Sequence, residues 1–246
     1  MEGPAMIVLP VMPAEQTASW LALLDLYARL DRGWTLIGGQ LVHLHCAERG
    51  RYPDRATNDA DTVIDVRADP TMLHAFTSTL TDLGFRSAGV SAEGLQHRWV
   101  RGEASLDVLL PEGIGERAAA RPGVTGSPTL PTQGGTQALA RTEVVAVTVD
   151  GRDGHVLRPS LVGALVGKAA AHGNTGDRDP RRHRRDFVIL ATLITAADFR
   201  HESLTAKDRQ RLRRMLTAIG KDTELTLEVT DAADALTRLR MAARLD

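Results

Sequence analysis

Apolar positions along the chain fall into two regimes. Up to about residue 158, short β-branched runs alternate with helical stripes; from residue 160 onward every stripe has a helical period. Trp20, Leu23, Leu24, Tyr27 and Leu30 recur at helical spacing, and Pro13 suits a first turn, so a helix is expected over 13–31. A short strand over 34–37 then runs into Gly38-Gly39 and a helix over 40–48. The run from Asp59 to Val66 reads as a strand. Asp69 is expected to cap a helix reaching about Leu83, with Pro70 at its first position. Strands are expected at 85–87, 96–100 and 104–110, the last two joined by Arg101-Gly102-Glu103 as a hairpin turn. Residues 111–136, rich in Gly, Pro, Thr and Ser, read as a long irregular loop or flap. Alternating valines predict a strand over 143–149, followed by a short one over 155–157. Helices are expected at 160–172, 179–197, 203–219 and 231–244.

The pattern divides the chain into an α/β part, 1–158, and a helical part, 159–246. At 246 residues, 43% hydrophobic and 25% charged, it has the composition of a globular protein with a core of its own. The formal net charge of −1 argues neither for nor against a polyanionic partner, so local charge must decide. One cysteine, Cys46, excludes an internal disulfide framework and a cysteine-rich zinc site, and fits a reducing compartment. The apolar piece over 5–11 is interrupted by Pro10, too short to span a bilayer and without a basic leader. A soluble, cytoplasmic protein with no membrane partner is the expectation.

Candidate chemistry concentrates in Arg55-Ala56-Thr57-Asn58-Asp59-Ala60-Asp61. Residues two apart on a strand share a face, so Asp59 and Asp61 point to one place. Such a pair repels itself unless a hard divalent cation lies beside it. Asp107, inside the apolar strand Leu106-Asp107-Val108-Leu109, is either a third ligand or a water-facing carboxylate on an edge strand. The strand, glycine pair and helix start at 37–40 make the kind of turn whose backbone N–H groups face an anion, though such turns also occur without one. His43 and His45, two apart on a helix, point to different sides and read as structural.

The helical part adds cations. Lys168 lies among Val162, Leu165, Val166, Ala169 and Ala170, and either snorkels to solvent or reaches into a cleft between the two parts. Arg178-Asp179-Pro180-Arg181-Arg182-His183-Arg184-Arg185-Asp186 is a dense arginine cluster opening a helix. Asp186 follows Arg182 by one turn, which reads as a surface ion pair; the alternative is that the arginines face phosphates while Asp186 orients Lys168.

Taken in order, Ile37-Gly38-Gly39, Arg55-x-Thr57-x-Asp59-x-Asp61 and Leu106-Asp107-Val108-Leu109 resemble the nucleotidyltransferase superfamily. The Arg-x-Thr-x-Asp-x-Asp form is most similar to its AbiEii/MenT branch, the toxins of type IV toxin–antitoxin and abortive-infection systems. Lys168, Arg178 and Arg185-Asp186 follow in that branch's order, so the resemblance spans about 34–195. It departs from the pattern in the long gap between Gly39 and Asp59, in Gly-Gly for Gly-Ser, and in Arg-Asp for Lys-Asp.

The resemblance implies an α/β fold, a nucleotidyltransferase-like mixed β-sheet with flanking helices, followed by a C-terminal helical bundle. It implies Mg²⁺ held by Asp59, Asp61 and Asp107, with Asp107 as general base or ligand on the nucleophile side. Gly38, Gly39, Arg55, Thr57, Lys168, Arg178 and Arg185 would bind the NTP, and Lys168 and Asp186 complete the catalytic set. The implied acceptor is a tRNA 3′ end, and a cognate antitoxin the implied partner. Two other readings use the same residues: a small-molecule, aminoglycoside-type nucleotidyltransferase, and a degenerate, non-catalytic nucleotide-binding module.

Overall fold

In a computed structural model of the chain, residues 6–53, 56–172 and 179–245 are described. The first strand, Ile7–Val8 (β1), runs parallel to a later hairpin strand. Helix Ala14–Arg29 (α1) buries Trp20, Leu23, Leu24 and Leu26, the stripe its periodicity predicts. Gly33, at φ +78, then turns the chain into strand Trp34–Ile37 (β2).

The strand-to-helix turn after β2 is abrupt. Gly38 has φ +74 and already begins helix Gly38–Glu48 (α2), two residues earlier than the pattern indicates. His45 on α2 is buried: its ring contacts the Pro159 carbonyl at 3.2 Å through Nε2 and Arg158 Nη1 at 3.0 Å through Nδ1. Burial pushes its pKa down to about 4, against the opposing effect of Glu48. His43 contacts Gln16 at 3.3 Å, so the two histidines do face different surroundings.

Strand Asp59–Ile64 (β3) follows, then helix Met72–Asp82 (α3). Here the expected cap is corrected. Asp69 Oδ1 accepts from the N–H and hydroxyl of Thr71, closing a turn, and the helix starts beyond Pro70. Strands Arg86–Ser87 (β4), Arg98–Arg101 (β5) and Ala104–Pro111 (β6) complete most of the main sheet. Its order is β2-β3-β6-β5-β4; β3 and β6 are parallel, and the other pairs in that row are antiparallel.

The 111–136 segment is not an irregular flap. It contains helix Glu116–Ala119 (α4) and strand Leu130–Thr132 (β7), which runs parallel to the end of β6. Helix Gly135–Leu139 (α5) follows. Gly134 (φ +83) lies where a Cβ would meet Gly167 Cα at 2.9 Å, so two glycines let this segment rest directly on the first C-terminal helix. The strands Thr142–Val149 (β8) and Arg152–Pro159 (β9) pair over their full length, longer than expected for the second, and with β1 form a three-stranded sheet.

The change from strands to helices falls between Pro159 and Leu161. Ser160 caps helix Leu161–Ala171 (α6) by accepting from Gly163 N–H at 3.2 Å. Asp179 caps helix Pro180–Thr192 (α7), which ends earlier than expected and gives way to a 3-10 turn, Ala196–Phe199. Helices Ala206–Ile219 (α8), Thr223–Glu228 (α9) and Ala232–Ala243 (α10) complete the chain; α9 lies in a stretch with no helix expected.

One apolar core runs through both parts, from Trp20 and Trp34 through Phe76 and Trp99 to Phe187, Met215 and Leu239. Trp34 and Phe76 meet edge to face at 6.1 Å, and complete burial of each such ring is worth roughly 2–3 kcal/mol. No helix among the described residues is long and apolar enough to cross a membrane.

Candidate active site

The main sheet sets up the site by register. Ile37 lies opposite Asp61, Asp61 opposite Asp107, and Asp107 opposite Arg98. Residues opposite one another across a sheet point to the same face, and Asp59, two before Asp61, shares it. Three carboxylates and one guanidinium therefore meet above the middle of the sheet.

The glycine pair forms the floor at one side. A Cβ on Gly38 would stand 1.8 Å from Asp61 Oδ2, so the Asp61 carboxylate occupies the space that a side chain at 38 would take. A Cβ on Gly39 would stand 2.6 Å from Thr57 Oγ1. The absence of a serine hydroxyl at 39 thus has a local reason: buried Thr57 fills that position, with its own hydroxyl 3.4 Å from Asp59 Oδ1.

The opposite wall comes from α6 and α7. Lys168 Nζ donates to Asp186 Oδ2 at 2.6 Å, with the side chains only 8% and 7% exposed. The pair lines the same cavity, of about 410 Å³, as Gly38, Gly39, Thr57, Asp59, Asp61 and Asp107. Lys168 therefore lies in the cavity wall and does not extend to solvent. Asp186 is its partner and is itself buried, so it does not sit on a solvated face.

Electrostatics follow from this crowding. Burial, then the neighbouring charges of Asp59 and Asp107, push Asp61 up to about 7, against the opposing pull of Lys168 and Arg182. Arg98 donates from Nε to Asp107 Oδ1 at 2.8 Å, and from Nη2 to Asp107 Oδ2 at 2.8 Å and Asp59 Oδ2 at 2.9 Å. Its hydrogen bonds to Asp107 hold the guanidinium firmly in its charged form.

The donor chemistry of Asp59, Asp61 and Asp107 fits a hard divalent cation, and the Gly38 cradle leaves room for Asp61. As the side chains stand, no three His, Cys, Asp or Glu among the described residues form a metal cage. Arg98 takes both oxygens of Asp107 and one of Asp59.

Other expected site residues are placed differently. Arg55 and Arg178 lie outside the described residues. Arg185 is not among the residues lining the cavity; Arg182 and His183 of the same helix are. Arg181 and Arg184 do not face the cavity as phosphate contacts: Arg181 donates to Glu228 at 2.7 Å and Arg184 to Asp222 at 3.2 Å, both acids at or within α9. That helix was invisible in the pattern, and so was its claim on the arginines. His97, Arg98 and the Leu130–Gly134 stretch also line the cavity and were not anticipated.

A signal for Arg98 existed. The β5–β6 turn is two residues, Gly102-Glu103, with Gly102 at φ +56 and Arg101 opposite Ala104. Counting back three pairs from there sets Arg98 against Asp107. Assigning Arg101 to the turn slips the register by one and puts His97 there instead.

Neither a protein-family profile nor a curated protein sequence matches the chain. Among solved structures, it is similar to an antigenic nucleotidyltransferase-like protein from Paracoccidioides brasiliensis. The TM-score is 0.50, over 91% of this chain and 93% of that one, at 16% sequence identity. At that identity the likeness is one of fold. The chain thus has a nucleotidyltransferase-like fold, a mixed α/β sheet structure with flanking helices and a helical C-terminal part.

Proposed function

We propose that this protein is a metal-dependent nucleotidyltransferase, which moves a nucleoside monophosphate from an NTP onto an acceptor hydroxyl and releases pyrophosphate. The observation that carries this is the meeting, in one cavity, of Asp59, Asp61 and Asp107 with Lys168–Asp186, at the glycine start of α2. Bound Mg²⁺ would supply Lewis-acid stabilisation of the triphosphate and a lower pKa for the acceptor hydroxyl. Asp59, Asp61 and Asp107 would hold it. Gly38 and Gly39 open α2, whose first N–H groups have no helical acceptors and suit phosphate oxygens. Lys168, held in place by Asp186, offsets charge on the departing pyrophosphate. In this reading 1–158 is the catalytic part and 159–246 the helical part that closes the cavity.

The acceptor follows from the sequence resemblance to AbiEii/MenT toxins: a tRNA 3′ end, in a cytoplasmic toxin countered by a cognate antitoxin. A small-molecule acceptor is the second reading. It is favoured by the ion pairs of Arg181 and Arg184 with acids of the chain itself, which withdraw two cations from RNA. The test is incubation with labelled NTPs, Mg²⁺ and either total tRNA or an aminoglycoside panel, with Asp61→Ala alongside. Label on tRNA 3′ ends, together with growth arrest on expression, supports the toxin reading. Label on the small molecules alone selects the second. No transfer, with calorimetric heat from NTP retained, selects the non-catalytic nucleotide-binding module; no transfer and no heat overturns all three readings.

A further inference from the structure

We propose that Arg98 is a placeholder cation. It closes the acidic site against free divalent ions and hands its guanidinium to the phosphates when a nucleoside triphosphate enters with its metal. The inference rests on the nucleotidyl-transfer reading of the same cavity and adds to it a positioning residue, together with an order of entry.

Three features carry it. The guanidinium makes three hydrogen bonds of 2.8–2.9 Å, to both oxygens of Asp107 and one of Asp59. Any cation coordinated by those two carboxylates competes for the same lone pairs. Secondly, backbone and side chain of Arg98 are held very differently. Its carbonyl accepts from Ala88 N–H at 2.9 Å and from Gln96 Nε2 at 3.2 Å, within a strand paired on both sides. The side chain, in contrast, is 44% exposed, while Asp107 is 10% exposed. The fork can leave the carboxylates by rotamer changes alone, with β5 undisturbed.

Thirdly, a planar guanidinium recognises phosphate with the same two-pronged geometry it uses for carboxylate. An Arg98 released from Asp107 is therefore matched to the anion whose arrival releases it, and lies in the cavity wall where that anion binds. Lys168 cannot take this part. It is buried against Asp186 at 2.6 Å and contacts neither Asp59 nor Asp107 by hydrogen bond.

The test measures Mn²⁺ binding by the intact chain, from the resonance signal of free Mn²⁺, for wild type, Arg98→Gln and Arg98→Lys. Each is titrated with Mn²⁺ alone, and its affinity for a non-hydrolysable Mn²⁺–nucleoside triphosphate is read separately by calorimetry, since the nucleotide itself takes up Mn²⁺. Without nucleotide, Arg98→Gln should bind Mn²⁺ at least about tenfold more tightly than wild type, about 1.4 kcal/mol. Its affinity for the triphosphate should fall by a similar factor. Arg98→Lys, which keeps the charge and loses the fork, should lie between the two, and serves if Arg98→Gln melts early. Equal Mn²⁺ affinity in wild type and both variants, or unchanged triphosphate affinity, overturns the placeholder role while the metal-dependent reading stands. Failure of every protein to bind Mn²⁺, with or without triphosphate, overturns that reading and this inference with it.

Discussion

Lys168 and Asp186 offer the sharpest separation of folding from function. They are 2.6 Å apart, with 8% and 7% of their side chains exposed, in the helix pair that walls the cavity. Removing one partner of so buried a pair leaves a charge in a poorly solvated place, at a cost of about 3–5 kcal/mol. For a chain of this length that is a fall in Tm on the order of 6–20 °C. Asp186→Asn should sit at the upper end; Lys168→Met is milder, because Asp186 keeps a further interaction. Replacing both, as Lys168→Met with Asp186→Asn, removes the orphaned charge, leaves a polar group for the further interaction at 186, and should recover most of the stability. The double-mutant coupling read from thermal and urea unfolding should then exceed about 3 kcal/mol. Triphosphate binding and nucleotidyl transfer should follow the opposite course, reduced by at least about 100-fold in Lys168→Met and unrecovered in the double variant. Additive stability losses would show that the two charges do not depend on each other. A double variant that binds triphosphate as wild type does would remove Lys168 from the substrate side of the cavity.

Gly38→Ala would place a Cβ 1.8 Å from Asp61 Oδ2 at φ +74, and should cost about 1–2 kcal/mol from the backbone alone, with loss of triphosphate binding by calorimetry. Gly39→Ser, whose Cβ would fall 2.6 Å from Thr57 Oγ1, should destabilise by about 1–3 kcal/mol, and Thr57→Gly in the same chain, which also removes the Thr57 Cβ at 2.9 Å, should relieve the contact in urea melts. His45, held near pKa 4 by burial, takes up its proton in the unfolded chain near 6.5. Stability should therefore be full above 6.5 and fall as pH drops towards 4, by up to about 3 kcal/mol; His45→Gln should flatten that window in melts taken across it. Glu48, held near 2 by His45 and Arg158 against its own desolvation, contributes stability present above about 4.5 and lost as pH falls through 2.

Local order was largely legible in the residues themselves. The α1 stripe, β2, β3, the β5–β6 hairpin and the helices α6, α7, α8 and α10 follow from side-chain period, which acts over a few residues and needs no distant partner. The Asp59–Asp61 pair shares a face for the same reason. Less legible was any element held mainly by something remote. β7 is three residues with no alternation of its own, and exists because the end of β6 offers it an unpaired edge. α9 is capped by Asp222, whose carboxylate also meets Arg184 of α7.

For the site, the division falls between residue type and pairing. Acids two apart, a glycine pair and a lysine in an apolar helix are present in the chain order whatever the fold. That Asp107 stands beside Asp61 depends on parallel pairing of β3 with β6, across more than forty intervening residues. That Arg98 faces Asp107 depends on a hairpin register in which one residue either way sends the side chain to the other face. Likewise Lys168 finds Asp186, and Arg184 is turned to Asp222, because a buried charge takes whichever counter-charge the packed helices bring within reach. Periodicity sets which way a side chain points; its partner is chosen only when separate elements close on one another.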